Sequence, residues 1–167
     1  MTSTNGLRVD RPAIPAEYGV KRAKEWVEWS HVEERLTADR VYWVVTVGPG
    51  SRPRVRPVDG LYVDGRIWIG GSPKARWVQD IAANPSVSVH LGSIDDVVIV
   101  EGEAEMLTSV DPETAERLAS ASAAKFGYGM KAEDYEKGGA IAVRPRKVVA
   151  WTDFMKNPTR FTLQGGR

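Results

Sequence analysis

The sequence predicts a mainly β protein with peripheral helices, an α+β chain whose strands close into a small barrel. Three observations predict it. Short β-branched and aromatic runs recur at close spacing, most of them bounded by glycine, proline or Asp-Gly pairs. Apolar residues of helical period fall only between these runs and at the ends of the chain. About six to seven antiparallel strands of this length expose edges unless they close on themselves, so closure is the natural architecture.

Residues 1–17 carry little pattern and read as an N-terminal arm. Residues 18–155 read as the single domain, and 156–167 as a C-terminal tail. From Tyr18 to Leu36 the apolar residues Val20, Ala23, Trp26, Val27, Trp29, Val32 and Leu36 keep helical spacing. The period then changes. Val41–Val47 is a β-branched and aromatic run ended by Gly48-Pro-Gly50. Arg52–Val58 is a second strand, with Arg54 and Arg56 on one face. Val58-Asp-Gly60 reads as a turn. Leu61–Val63 and Arg66–Ile69 then form a hairpin about Asp64-Gly65, a pair that tolerates positive φ at both positions.

A short helix is expected from Pro73 to Ala83, with Ser72 as N-cap, Pro73 at the first helical position and Asn84-Pro85 as its end. Val87–Leu91 and Val97–Leu107 are strands. On the latter Glu101, Glu103 and Glu105 share one face, the pattern of a solvated side and not of a catalytic carboxylate pair. Asp111 and Pro112 open another helix, striped by Ala115, Leu118, Ala119, Ser122 and Phe126. Lys131–Glu136 is a further short helix. Ile141–Val143 and Lys147–Thr152 are the last strands, interrupted by Arg144-Pro-Arg146.

The whole chain sets bounds. At 167 residues it is long enough for one domain with a real core. It has no cysteine, which excludes disulfides, thiol nucleophiles and thiolate-ligated metals. The two histidines, His31 and His90, have no ligand-like spacing, so no metal site is expected. No apolar run approaches the ~18 residues of a membrane span, and the first residues lack a signal-peptide core; a cytoplasmic protein is expected. A net charge of +1 argues against nucleic-acid binding. The charge is uneven, however. Arg35–Arg76 holds eight Lys/Arg against three Asp, and Arg144 to the end holds six against one. Local sites for an anionic ligand would produce this pattern, and so would ordinary solvated surface.

Gly70-Gly-Ser-Pro-Lys-Ala-Arg-Trp77 is the most informative segment. Its glycines allow close backbone approach, and a Ser-capped helix start offers free N–H groups to an anion. Lys74 and Arg76 add charge-assisted donors. Ser72, Lys74 and Arg76 thus make a phosphate cradle, or a well-capped surface helix with solvated charges. Arg54 and Arg56, two apart on a strand, could converge on the same anion. No nucleophile elbow, Walker loop or dinucleotide fingerprint occurs. No catalytic residue is assigned, and an enzyme built this way would take its reactive group from a cofactor.

The motifs Tyr42-Trp-Val-Val-Thr-Val, Arg52-Pro-Arg-Val-Arg-Pro-Val, Leu61-Tyr-Val-Asp-Gly-Arg-Ile-Trp-Ile-Gly-Gly-Ser-Pro, Ile81-Ala-Ala-Asn-Pro-Ser-Val-Ser-Val-His-Leu and Val100-Glu-Gly-Glu-Ala resemble, in this order, the pyridoxamine 5'-phosphate oxidase-like split β-barrels. Within that superfamily the chain looks most like the flavin/deazaflavin oxidoreductases of actinobacterial type, in the branch that uses coenzyme F420. The resemblance spans roughly Trp26 to Thr152. It implies a homodimer with cofactor at the subunit interface. It also implies a cofactor-binding set of Arg54, Val55, Arg56, Pro57 and Val58 on the strand, Gly71, Ser72, Lys74, Arg76 and Trp77 after it, and Trp151 and Phe154 reaching the partner's site. Trp77 could instead belong to the core. The chain departs from the family where it has Trp77 in place of a frequent Lys or Arg, Gln79-Asp80 in place of Arg-Asn, and Asp59 in place of an aromatic.

The activity this resemblance implies is hydride transfer from reduced F420 to an unsaturated small-molecule substrate. The alternatives are an FMN-dependent oxidase or reductase of the same fold, and a non-catalytic flavin- or tetrapyrrole-binding protein.

Overall fold

The structure is a computed structural model, and it describes residues 6–20 and 23–163. Alternation sets its strands. In β2 (Val41–Gly48) Tyr42, Val44 and Thr46 point inward and are buried, while Val41 and Trp43 point out. β2 lies between β3 (Arg52–Val63) and β5 (Ser86–Ser93). β4 (Arg66–Ile69), β6 (Asp96–Leu107) and β7 (Ala140–Trp151) complete a closed ring of six antiparallel strands in the order β7-β4-β3-β2-β5-β6, with β6 returning to β7. Two further strands, β8 (Thr159–Leu163) and β1 (Leu7–Asp10), extend the sheet outward from β7. They arise from the arm and the tail. The fold is thus the expected mainly β barrel with peripheral helices.

β3 is one continuous strand, where the sequence suggested a turn at Val58–Gly60. Gly60 is there for a different reason. A Cβ on it would collide with the Tyr42 ring, so the glycine lets a buried aromatic lie against the backbone. The turn at Asp64-Gly65 is as expected, with φ of 54° and 71°. β7 is also continuous across Arg144–Arg146. A bulge opposite Glu101/Gly102 accommodates one extra residue. Before it β7 pairs with β4 at Ile141–Val143, and after it with β8 at Lys147–Ala150.

The first helix, α1 (Trp29–Ala38), starts later than the periodicity from Tyr18 suggests. Residues 23–28 are held in non-helical form by tertiary hydrogen bonds. Arg11 donates to the Ala23 carbonyl at 2.9 Å, and the Val27 N–H donates to Thr159 Oγ1 at 2.9 Å. Trp26 lies under the Arg11 guanidinium, 3.6 Å from ring centroid to charge, and not in the core. Helix α2 (Arg76–Ala83) packs Trp77, Val78 and Ile81 into the main core. Helix α3 (Pro112–Phe126) begins as expected, with the Asp111 carboxylate accepting from the Thr114 N–H at 3.0 Å. A short α4 (Ala132–Gly138) follows.

Two apolar clusters result. The barrel interior is filled by residues such as Tyr42, Val44, Ile67, Val89, Val98, Val148 and Phe161, with Val32, Leu36, Val78 and Ile81 from α1 and α2. The second lies outside the barrel wall, where Leu61, Trp68 and Ala142 meet Ala115, Leu118 and Tyr135 beneath α3 and α4. The glutamate stripe on β6 is the solvated face expected of it. Each member meets a cation: Glu101 with Lys147, Glu103 with Arg146, and Glu105 with Arg66 at 3.6 Å. None of the helices among the described residues is long and apolar enough to cross a membrane.

Candidate functional site

The segment that the sequence singles out folds differently from expectation. Ser72 does not cap a helix. Ser72–Ala75 forms a turn, with the Ala75 N–H donating to the Ser72 carbonyl at 2.8 Å and the Lys74 N–H to Ser72 Oγ at 3.3 Å. α2 begins four residues after Ser72, at Arg76, behind an Ala75 N-cap without a side-chain hydrogen bond. Ser-Pro suits the first positions of a turn as well as those of a helix, and here the turn prevails. Gly71, Ser72, Lys74 and Arg76 are all exposed at this junction. Gly71 is needed for packing, since a Cβ would strike Trp77 and Val78.

Arg54, Arg56 and Val58 do share a face of β3, but it is the inward face: their partners across the strand pair are Thr46, Val44 and Tyr42, all buried. Val55 and Pro57 point outward. The two arginines have different fates. Arg54 donates to Asp80 of α2 at 2.5 Å, and Asp80 is only 3% exposed. Thr46 Oγ1 donates to the same carboxylate at 3.4 Å. Arg54 thereby neutralises a buried acid. Arg56 lies over the Trp77 ring, 5.5 Å from its centroid, and its Nε is buried without any hydrogen-bond partner. Arg56 Nε is thus a shielded donor that no group among the described residues answers. Arg56, Lys74 and Arg76 have no ion pair with any acid among the described residues, whereas Arg54 does. Trp77 itself is buried in the main core, one helical turn before Asp80. The structure therefore brings Arg54, Arg56, Trp77 and the α2 start together. Asp80 is the member that sequence reasoning missed. Its spacing from Trp77 put both on one helix face, but the partner strand lies 26 residues away.

Trp151 lines a shallow groove with Ser88 and His90 of β5, and Phe154 follows it in the chain. Trp151 lies at the far end of β7, eight residues beyond Val143, the last residue to pair with β4. At ~3.3 Å per residue that is roughly 26 Å along the strand. It stacks edge-on against Phe154 at 5.4 Å and donates its indole N–H to the Ile94 carbonyl at 3.1 Å.

The outward face beside β3 is apolar and bare. Val55 is 57% exposed and Trp43 40% exposed. Trp43 pairs with Pro57 on one side and stacks flat on His90 on the other, with ring centroids 6.3 Å apart. Further along β3 the same outward face enters a cavity of about 690 Å³ between the strand ends and α3–α4, which Asp59, Leu61 and Trp68 help to line and whose rim includes Gly70, Gly71 and Pro73.

Behind that cavity Lys125 is half-buried. Its ammonium donates to the carbonyls of Gly60 (2.7 Å) and Leu36 (3.2 Å) and lies 3.3 Å from the Tyr42 hydroxyl. Burial pushes this amine down to about 8, against the opposing pull of Asp39 and Asp59. Nothing in the sequence pattern distinguished it from a solvated helix lysine. Among the described residues, no three His, Cys, Asp or Glu gather as metal ligands.

No curated protein sequence matches the chain. Solved structures do, at low identity. One is a conserved hypothetical protein from Mycobacterium tuberculosis (23% identity, TM-score 0.62, covering 78% of this chain and 88% of that one). Another is described as an F420 reductase (20%, TM-score 0.53, 70% and 94%). A third is an FAD-binding protein from Mesorhizobium loti (17%, TM-score 0.54, 93% and 98%). At these identities the likeness is one of fold. The family comparison is more direct: residues 29–152, from the start of α1 through the last strand of the closed barrel, match pyridoxamine 5'-phosphate oxidase, and the chain belongs to that family.

Proposed function

We propose that this protein is an oxidoreductase that binds coenzyme F420 beside α2 and reduces an unsaturated small molecule. The observation that carries this reading is Arg56. It is a cation with a buried, unpartnered donor, and it lies on the strand where the family resemblance expects cofactor contacts. The exposed Lys74 and Arg76 at the adjoining turn and helix start extend the positive charge away from it. Such a spread fits the long, multiply anionic tail of F420. When bound, F420 supplies two-electron hydride chemistry. The chain's own residues supply anchorage and orientation. Arg56, Lys74 and Arg76 would hold the anionic arm; Arg54, with its charge already answered by Asp80, would keep α2 in place. Gly71, Ser72 and the inward Val58 would border the site, and Trp77 would support Arg56 from the core.

A second copy of the chain completes the proposal. The bare face carrying Val55, Pro57, Trp43 and His90 suits a homodimer contact. Trp151 and Phe154 would serve the partner's site. A cytoplasmic location goes with this reading. FMN is the second reading for the cofactor, favoured by the oxidase family match and by the FAD-binding relative in fold.

Titration of F420 fluorescence with the protein tests the reading. Saturable binding at micromolar protein is expected, weakened at least tenfold in Arg56→Met. Failure to bind F420, with saturable binding of FMN, would transfer the site to FMN. Failure to bind either would overturn it.

A further inference from the structure

The cavity of about 690 Å³ beside α3 and α4 falls within the ~300–1,000 Å³ range of small-molecule sites. Its walls are mostly apolar: Leu61 and Trp68 from the barrel wall, Met106 from β6, and Phe126 from α3. Two charged side chains line it, Asp59 and Asp134, and both are acids. No Lys, Arg or His is among its lining residues. Lys125 is the amine nearest in sequence, but it lines a separate groove and its ammonium is spent on the Gly60 and Leu36 carbonyls. The Asp59 carboxylate faces the Tyr128 hydroxyl, which donates to it at 3.3 Å. Asp134 accepts from the Lys131 N–H at 2.9 Å, fixing its carboxylate at the start of α4. The backbone leaves width as well: a Cβ built on Gly70 or Gly138 would meet no atom within 4 Å.

The charge distribution about this cavity is divided. Gly70, Gly71 and Pro73 line the cavity, and the exposed cations Lys74 and Arg76, which do not, follow directly after them in the chain. A phosphate or carboxylate entering the cavity would meet only like charge among the side chains that line it, in a partly enclosed site where water screens it less than at the surface.

We infer that this cavity is the substrate site, that it takes a largely apolar small molecule which is uncharged or cationic, and that it turns away carboxylates and phosphates. Calling the ligand a substrate rests on the proposed oxidoreductase function; the charge selection does not. The anionic arm of the cofactor and the substrate would then be sorted by charge.

Two three-ring probes of similar shape test this: the cation 9-aminoacridine and the anion anthracene-9-carboxylate, each titrated by fluorescence into the full-length protein. The cation is expected to bind at least tenfold more tightly. Asp59→Asn should narrow that ratio at least threefold. Gly138→Phe, which grows a ring into open space, should weaken the cation at least tenfold, and Met106→Trp serves the same purpose should Gly138→Phe fail to fold. Equal affinity, a preference for the anion, or a ratio that neither Asp59→Asn nor the filling variants change would overturn the inference. F420 and FMN titrations on the same samples separate it from the function proposed above. Wild-type protein that discriminates between the probes but binds neither cofactor defeats the function and leaves the charge selection standing.

Discussion

The outer wall of the barrel has two halves that differ in what covers them. Under α3 and α4, Leu61, Trp68 and Ala142 project from three neighbouring strands into an apolar cluster with Leu118 and Ala115. On the other half, Val55, Trp43 and His90 project from three neighbouring strands into the open. β3 runs through both, so Val55 and Leu61 point the same way from one strand and have different surroundings. Apolar side chains on an outer wall are therefore no mark of either role. The helix that returns over them decides, and α3 returns over only half. What remains bare is suited to a cover that comes from outside the chain.

Substitutions can break or sharpen this contrast. The largest effect is expected for Leu118→Ala. Leu118 is fully buried, and opening a cavity under α3 should cost about 4 kcal/mol in denaturant unfolding. A loss below about 1 kcal/mol would mean that α3 covers its half only loosely. Next is Arg54→Met, which leaves Asp80 buried with only Thr46 beside it. A loss of about 3 kcal/mol is expected by the same measurement. An effect near zero would show that the pair is not needed to seat α2.

Val55→Asp should change subunit stability by no more than about 0.5 kcal/mol, because the site is open. It should nevertheless convert a dimer to monomer in light scattering at micromolar protein. An unchanged mass would remove the bare half from any interface. A pH-dependent effect is expected of Lys125. Burial lowers its folded-state value to about 8, below the ~10.4 of a free lysine. Between these limits the unfolded chain binds more protons than the folded one, so this group makes stability rise as pH goes from about 8 to 10.4. Below pH 8 its unfavourable contribution is fully present. Lys125→Met should abolish the rise, so that wild-type stability minus the variant's climbs between about pH 8 and 10.4. A difference that falls over the same range would contradict the burial.

Local signals in the sequence were mostly faithful where the chain's own neighbours decide. The β2 run, the Asp64-Gly65 hairpin and the Asp111-Pro112 helix start all rest on residues within a few positions of each other, and all form as expected. The Ser72-Pro73 helix start fails locally, to a turn, and the other failures have long-range causes. The helical period before Trp29 is overridden by hydrogen bonds to Arg11 and Thr159. Gly60 answers a ring 18 residues away and not a local turn. In β7 the inward apolar residues are Ile141 and Val143 before the bulge, but Val148 and Ala150 after it. The alternation thus changes phase, and a continuous strand reads as two. The candidate site shows the same division. The basic character of the Gly70–Trp77 segment is legible, as is the shared face of Arg54 and Arg56. That one of them answers Asp80 while the other keeps an unused donor is visible only once α2 lies on β3.

That change of phase also governs the ends of the fold. A bulge bends the strand that carries it and increases its twist. Here the bend comes where β7 leaves β4 and takes up β8, which in turn carries β1. A chain lacking Arg146 alone would keep Val143, Pro145, Val148 and Ala150 on their present faces, since the residue removed is the supernumerary one. It would lose the bend, and with it the geometry that lets one strand serve two neighbours in succession. Amide exchange along Thr159–Leu163 would quicken while the six-stranded ring stayed protected. The attachment of the outer two strands would then depend on chain length at a single position more than on any side chain that touches them.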